Sequence, residues 1–284
     1  MNIEYRLDGP KEAPMLVLAN SLGTTWDMWQ PQMAALTRDF NVLRYNPRGH
    51  GSTPLPSCEL NLEILGRDVI ALLDHLDVEN ASFCGISMGG LTGLWLARHY
   101  PARFRKMVVA NTAARIGSEE AWLQRARQVR EQGLSAVAAG SSARWFTPEF
   151  IRHAHPQVSR LVMQLSHGSA AGYAACCDVL AQADLHADAG RINLPLLVVA
   201  GEFDTITPLV QAQWLHQHIA KARLEVLPAA HLSNIACPEE FNNSVISFWV
   251  SDAPAAGGRH ARPSSGMLPS RLSYRTSCAA ASGR

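Results

Sequence analysis

The sequence lacks several features that would place it in a broad class of protein. No apolar run approaches the roughly 20 residues of a membrane-spanning helix. Residues 1–6 show no charged segment followed by an apolar one, so no signal peptide is predicted. The formal net charge of the 284 residues is only +1, which argues against a nucleic-acid partner and against an anionic membrane surface.

The cysteines also lack a pattern. The chain has six, scattered without the spacing of a disulfide framework or a zinc site. Reduced thiols are therefore expected, and with them a cytoplasmic location. The pairs His153/His155 and His216/His218 have no carboxylate or thiolate ligands in register, so neither a metal nor a cofactor is predicted.

What the chain does contain is a regular alternation of short apolar runs and amphipathic segments. With 47% hydrophobic and 17% charged residues it has the composition of a globular protein with a substantial core. The alternation predicts a doubly wound α/β fold with a mostly parallel sheet. The predicted strands are Met15–Ala19, Val42–Tyr45, Ala81–Cys84, Met107–Ala110, Leu196–Ala200 and Arg223–Leu227. The first predicted helix lies around Trp26 to Leu36.

More than 80 residues separate the strands that end at Ala110 and begin at Leu196. Because a single crossover needs only a dozen or so residues, this segment indicates an inserted helical cap. Helices are predicted in it at Glu119–Gln132, Pro148–Leu165 and Gly172–Ala183. The predicted division is a core of residues 1–114 and 191–250, a cap of residues 115–190 and a tail of residues 251–284. The tail is rich in Ala, Gly, Ser, Pro and Arg, so disorder is expected there.

The segment from Gly85 to Gly89 reads Gly-Ile-Ser-Met-Gly, between a predicted strand and a predicted helix. This is the sequence context of a nucleophile elbow, in which Ser87 occupies a strained turn and glycines leave room for it. A short Gly-Ser turn is the alternative interpretation, so the assignment depends on partners elsewhere in the chain.

Those partners are found after two later strands. A serine needs a base within hydrogen-bonding reach and an acid that orients the base. Asp204 follows the Leu196–Ala200 strand and His231 follows the Arg223–Leu227 strand, in the order Ser, Asp, His. Glu202 is the rival acid, and Asn111, at another strand end, carries no charge for that role.

An oxyanion hole needs two backbone donors. Met88, the residue after the nucleophile, is expected to supply one amide. Leu22, in the loop after the first predicted strand, is expected to supply the other.

Together the elbow, Asp204, His231 and the cap resemble the alpha/beta-hydrolase family over residues 1–250. The closer resemblance is to the 3-oxoadipate enol-lactonases of aromatic-compound catabolism (the beta-ketoadipate pathway). The segments that carry it are Ser21–Thr24, Cys84–Gly93, Asn111–Ser118, Arg144–Thr147 and His231–Ile235. The turn from Asn46 to Ser52 also resembles a structural loop of the family, which implies that Arg48 and His50 brace loops. Asn46 stands in place of the usual Asp of that loop, and this change is expected to loosen an ion pair with Arg48. Asn20-Ser21-Leu22 likewise stands where many hydrolases of the family have His-Gly-x.

The resemblance implies a serine hydrolase that opens 3-oxoadipate enol-lactone through an acyl-enzyme. The implied ligand is a small anionic lactone. Arg144 would bind its carboxylate, and Trp145 would pack against its ring. The oligomeric state stays open, a homo-oligomer included.

Other functions on the same fold also stay open. A carboxylesterase or a cofactor-free perhydrolase would use the same residues. A ligand receptor without turnover is a further alternative, although it would not need Ser87, Asp204 and His231 together. Dehalogenases and epoxide hydrolases of this fold need Asp at position 87 and are disfavoured.

Overall fold

The computed structural model describes residues 2–250 of the chain, which form one seven-stranded sheet with helices around it. The strands are β1 Tyr5–Asp8, β2 Met15–Ala19, β3 Asn41–Tyr45, β4 Ala81–Ile86, β5 Phe104–Ala110, β6 Leu196–Gly201 and β7 Ala222–Leu227. The helices of the core are α1 Gln30–Leu36, α2 Leu62–His75, α3 Met88–His99, α11 Leu209–His218, α12 Ser233–Ala236 and α13 Pro238–Val250. Seven further helices lie between β5 and β6: α4 Glu119–Gln132, α5 Ser135–Ala139, α6 Ser141–Trp145, α7 Pro148–His153, α8 His155–Ser166, α9 Ala170–Gln182 and α10 His186–Ala189.

The sheet has the strand order β1-β3-β2-β4-β5-β6-β7. All neighbouring strands run parallel except β1, which pairs antiparallel with β3. Strands β2, β4 and β6 are buried along their whole length, as expected of apolar strands covered by helices on both faces. The predicted doubly wound, mostly parallel sheet is confirmed. Strand β1 was not predicted, because its short, half-exposed Tyr-Arg-Leu-Asp sequence lacks an apolar run.

One predicted helix is divided in the structure. The sequence from Pro148 to Leu165 reads as a single helical block, but α7 ends at His153 and α8 begins at His155. Pro156 explains the break, since proline has no N–H to donate to the preceding turn and its ring clashes there. The first helix prediction also divides, into a 3₁₀ turn at Trp26–Trp29 followed by α1.

Two of the helices between β5 and β6, α6 and α9, contact loops that follow the carboxyl ends of the strands. A Cβ placed on Gly172 of α9 would lie 2.0 Å from the carbonyl oxygen of Gly49, in the loop after β3. The amide of Leu232, after β7, donates to the carbonyl of Trp145 at 3.1 Å. Helices α6 and α9 therefore lie against the edge of the sheet from which the loops of Asp204 and His231 and the turn of Ser87 also extend.

The limits 115–190 for this helical unit stay a prediction, and the tail of residues 251–284, with its expected disorder, lies outside the described residues. Among the helices of residues 2–250, none combines the length and the apolar character that crossing a membrane would require.

Candidate active site

Ser87 lies at the junction of β4 and α3 in a strained backbone conformation, with φ 57° and ψ −116°. Few non-glycine residues have a positive φ, and such strain is typical of functional turns. The flanking glycines make the turn sterically allowed. A Cβ on Gly85 would lie 2.2 Å from the carbonyl oxygen of Gly89, and one on Gly89 would lie 2.3 Å from that of Ala19.

Neighbouring strands hold this turn in place. The Ser87 amide donates to the carbonyl of Ala110 at the end of β5 at 2.9 Å, and the Thr112 hydroxyl donates to the Ser87 carbonyl at 2.8 Å. The Gly89 amide donates to the carbonyl of Asn20 at 3.1 Å. This last bond ties the start of α3 to the loop after β2, so the two segments predicted to supply the oxyanion hole are directly joined.

Asp204 and His231 form a buried pair at the ends of β6 and β7. His231 Nδ1 lies 2.9 Å from Asp204 Oδ2, and the two residues are 2% and 4% exposed, respectively. Since a buried carboxylate accepts hydrogen bonds, Nδ1 carries the proton and Nε2 is left as the acceptor. No hydrogen bond within residues 2–250 joins the Ser87 hydroxyl to His231; catalytic bonds of this kind commonly tighten only with substrate in place.

The Asp204 carboxylate is held by four further donors. Its Oδ1 accepts the backbone amides of Ile206 and Thr207, at 2.9 and 3.0 Å. Its Oδ2 accepts the Thr207 hydroxyl at 2.8 Å and the Asn111 side-chain amide at 3.0 Å. Burial alone would raise the pKa of Asp204, but the attraction of His231 and these hydrogen bonds outweigh it and lower the pKa to about 2. The group is therefore ionised at neutral pH. The rival acid Glu202 is exposed.

The amides of Leu22 and Met88 donate to no protein acceptor within residues 2–250, so both are available to a ligand atom. Next to Leu22, the Gly23 amide donates to His50 Nε2 at 2.9 Å. His50 is buried, and burial lowers its pKa although the bond to the Arg48 carbonyl opposes the shift. Neutral His50 thus braces a loop, as the resemblance predicted, and the structure identifies this loop as the one that carries Leu22.

The loop of Arg48 corrects one sequence-based expectation. Asn46 was expected to loosen an ion pair with Arg48, but Arg48 pairs with Asp68 instead, through two hydrogen bonds of 2.8 Å each. Asn46 bonds the Glu4 carboxylate at 2.7 Å. The replacement of Asp by Asn therefore leaves the ion pair of Arg48 intact.

Arg144 and Trp145 lie at the end of α6, beside the loop of His231. Trp145 is 5% exposed, and its carbonyl accepts the amide of Leu232, the residue after His231. Arg144 is half-buried and donates from Nη2 to the Val137 carbonyl at 2.9 Å. Burial and the positive charge of Arg125 lower the pKa of Arg144, and no carboxylate of residues 2–250 is among the groups that act on it.

A cleft of about 300 Å³ opens between the loops after β2 and β3 and helices α8 and α9. Its lining includes Gly23, His50, Leu165 and Tyr173 but neither Ser87 nor His231. The described residues contain no cluster of His, Cys, Asp or Glu side chains that could hold a metal ion.

Sequence reasoning missed the part played by Asn111, which it considered only as an acid. The residue has φ 46° and is 1% exposed, and its side chain bonds residues from two other loops. An Asn directly after a buried strand was the available signal, since Asn tolerates positive φ better than other non-glycine residues.

Comparison with known proteins agrees with this geometry. Residues 14–236 match the family model for the alpha/beta hydrolase fold. The chain belongs to the alpha/beta-hydrolase family. It is 48% identical over 243 residues to 3-oxoadipate enol-lactonase 2 of Acinetobacter baylyi, a match that covers 86% of this chain and 91% of that one.

Solved structures of the family show the same likeness. The enol-lactonase from Burkholderia xenovorans LB400 superimposes with a TM-score of 0.85 at 41% identity, covering 87% of this chain and 96% of that one. A thermophilic esterase from Thermogutta terrifontis has a TM-score of 0.82 at 23% identity, with 88% and 93% covered, and shows the shared fold. The predictions of an alpha/beta-hydrolase fold, of a resemblance to the enol-lactonases and of a lactone or ester hydrolase are confirmed.

Proposed function

We propose that this alpha/beta-hydrolase opens 3-oxoadipate enol-lactone to 3-oxoadipate, with Ser87 as nucleophile, His231 as base and Asp204 as the residue that orients the base. The observation that carries the proposal is the buried Asp204–His231 pair at the sheet edge that presents the strained Ser87, in a chain 48% identical to a named enol-lactonase. The substrate comes from that relative, and the chemistry from the residues.

The first half-reaction transfers the acyl group to the serine. His231 Nε2 takes the proton of the Ser87 hydroxyl as Oγ attacks the lactone carbonyl. The negative charge that develops on the carbonyl oxygen is stabilised by the amides of Leu22 and Met88. Collapse of this intermediate breaks the ring C–O bond and releases the enol oxygen, which takes the proton from His231, and the enol tautomerises to the ketone.

The second half-reaction restores the enzyme. His231 removes a proton from water, the resulting hydroxide attacks the acyl carbonyl, and the Ser87–acyl bond breaks with return of the proton to Oγ. Asp204 remains ionised throughout, because its folded pKa of about 2 lies far below neutral pH. Its charge stabilises the imidazolium formed in each half.

Arg144 supports an anionic substrate. The half-buried Arg144 guanidinium donates to the Val137 carbonyl and has no carboxylate partner in residues 2–250, so a substrate carboxylate could make a charge-assisted, bidentate pair with it. The bond between Leu232 and Trp145 places this part of the cap beside His231. We infer that Arg144 binds the lactone carboxylate and that Trp145 forms a wall of the same pocket.

Turnover of two substrates tests the proposal. The loss of enol-lactone absorbance and the hydrolysis of p-nitrophenyl acetate are measured in parallel. The Ser87→Ala variant is expected to fold but to hydrolyse neither substrate. Rapid ester cleavage with an inert lactone would refute the lactonase function and keep the hydrolase. Tight lactone binding without turnover by the wild-type enzyme would favour a receptor.

A second measurement tests the carboxylate contact. Arg144→Ala should raise KM for the anionic lactone about 10- to 100-fold, as expected for loss of a hydrogen-bonded charge pair, and change KM for the neutral ester less than about threefold. Arg130→Ala is the matched control, because Arg130 is an exposed cap arginine that already pairs with Asp178. Equal effects of Arg144→Ala on both substrates would contradict the contact.

A further inference from the structure

The side chain of Asn111 joins the ends of three strands. It follows β5 directly, and its Nδ2 donates to Asp204 Oδ2 and to the Ala230 carbonyl, each at 3.0 Å. Its Oδ1 accepts the Ser233 hydroxyl at 2.6 Å. Ala230 and Ser233 flank His231 in the chain, so one amide group contacts the acid and both sides of the base.

The hydrogen-bond partners determine which way the amide points. Rotated by half a turn, Oδ1 would face the Asp204 carboxylate and the Ala230 carbonyl, which are both acceptors. The Ser233 hydroxyl, as a donor to Oδ1, favours the observed orientation. The two N–H groups of Asn111 are therefore directed at Asp204 and at the residue before His231.

The backbone around Asn111 is built to admit this side chain. Its amide donates to the Val199 carbonyl of β6 at 2.8 Å, and its φ of 46° requires a residue that tolerates the left-handed region. Gly201 provides the space: a Cβ there would lie 2.3 Å from the Ala230 carbonyl oxygen and 3.0 Å from Asn111 Nδ2. The positive φ of Asn111 and the missing side chain of Gly201 thus both accommodate the buried side-chain amide of Asn111.

Three donors converge on Asp204 Oδ2: the Thr207 hydroxyl, Asn111 Nδ2 and His231 Nδ1. The first two restrict the rotation of the carboxylate and so determine the direction from which the imidazole can bond. Thr207 acts within the acid's own loop. Of the three donors, only Asn111 also bonds the Ala230 carbonyl, next to His231. Asn111 therefore fixes the position of the Asp204 loop relative to the His231 loop.

We infer that Asn111 is a positioning residue for the hydrolytic reaction, holding the Asp204 carboxylate and the His231 loop in one relative orientation so that Nε2 faces Ser87. The inference rests on the proposed roles of Ser87, Asp204 and His231. Within residues 2–250, Asn111 makes no hydrogen bond to the Ser87 hydroxyl. It acts through Asp204 and the His231 loop.

The test compares Asn111→Gly, which keeps the positive φ and removes the amide, with Asn111→Asp, which keeps the shape and replaces the donor by a negative charge. Asn234→Ala is the matched control. Asn234 is also buried and also donates two hydrogen bonds from its amide, to the Met28 carbonyl and the Gln32 side chain, but within residues 2–250 it makes no hydrogen bond to Asp204 or His231.

Both Asn111 variants should lower kcat for p-nitrophenyl acetate about 10- to 100-fold, as for loss of a hydrogen bond to a charged group, with KM changed less than about threefold. In Asn111→Asp the acidic limb of the kcat/KM profile should move to higher pH, because the added negative charge favours the protonated imidazole. The rate at which a fluorophosphonate labels Ser87 should fall in parallel. Asn234→Ala should lower the melting temperature and leave the pH limb in place.

Retention of kcat within twofold in a folded Asn111→Gly would overturn the inference, as would equal losses at every pH in Asn111→Asp and Asn234→Ala. Should circular dichroism show that neither Asn111 variant folds, Ser233→Ala replaces them under the same criteria, since it removes only the bond that orients the amide. A wild-type enzyme inactive on ester and lactone alike would instead refute the proposed function itself.

Discussion

Replacing Asp204 by Asn changes one charge and almost no volume, and the structure allows its effect to be worked out. The carboxylate accepts five hydrogen bonds, three of them at Oδ2. In Asp204→Asn, the new amide oxygen can keep accepting the backbone amides of Ile206 and Thr207. The new NH₂ group then points at Asn111 Nδ2 and His231 Nδ1, which are themselves donors, so neither hydrogen bond can form. His231 can relieve this only by moving its proton to Nε2, and then no acceptor faces Ser87.

The expected result is a loss of about 10⁴-fold in kcat, the size seen when a triad acid is replaced by its amide and the imidazole takes the wrong tautomer. KM should change little, because Asp204 is not proposed to contact substrate. The assay is p-nitrophenyl acetate hydrolysis, and Glu202→Gln is the matched control, since it makes the same chemical change two residues away on an exposed side chain. Its kcat should stay within about twofold of wild type.

The same variant should alter acid stability. The pKa of Asp204 is about 2 in the folded protein and 3.8 without its partners, which corresponds to about 2 kcal/mol of unfolding free energy. Because the folded pKa is the lower one, this contribution is complete above about pH 4 and is lost as the pH falls toward 2. Urea unfolding should therefore find Asp204→Asn less stable than wild type at pH 7, with the difference narrowing below pH 4. A large kcat loss in Glu202→Gln with an active Asp204→Asn would refute the assignment of the acid.

Two further substitutions test the residues that support the proposed oxyanion hole. His50→Leu removes the acceptor for the Gly23 amide and should lower kcat about tenfold, as expected for the loss of one buried hydrogen bond. His50→Gln can still accept through its amide oxygen and should retain more activity. A wild-type kcat in His50→Leu would contradict the bracing role. Gly89→Ala would place a Cβ 2.3 Å from the Ala19 carbonyl, so it should lower the free energy of unfolding by about 1–3 kcal/mol and reduce kcat by displacing Met88. In Gly133→Ala the added Cβ meets no atom of residues 2–250 within 4 Å, so this variant should be destabilised only by backbone strain and should keep its kcat. Equal kcat values in the two variants, measured on the same ester, would be inconsistent with the steric argument.

Much of the sheet could be predicted because its strands are buried on both faces and so read as unbroken apolar runs. β2 was predicted at its observed bounds, and β6 to within one residue. Strand β1 escaped because an edge strand with exposed side chains needs no such run. The break between α7 and α8 was missed because the apolar spacing continues across it, although Pro156 was the available warning.

What the sequence determined by itself is the set of residue types proposed to react and their order along the chain. Ser87 between two glycines, Asp204 after one strand and His231 after another are local patterns, and parallel strands bring their carboxyl ends to one edge. The Asp204–His231 bond follows from that topology with little further information.

Only the tertiary structure decided how these residues are supported. Asn111 reaches Asp204 across 93 positions of the chain and Ser233 across 122, and the Gly23 amide reaches His50 across 27. No local pattern encodes such bonds, because each depends on the relative rotation of loops that the packed sheet and helices set. Arg48 likewise finds its carboxylate in Asp68 on α2 rather than in its own loop. Local residue patterns specify the chemistry of this site, while packing between distant segments specifies its geometry.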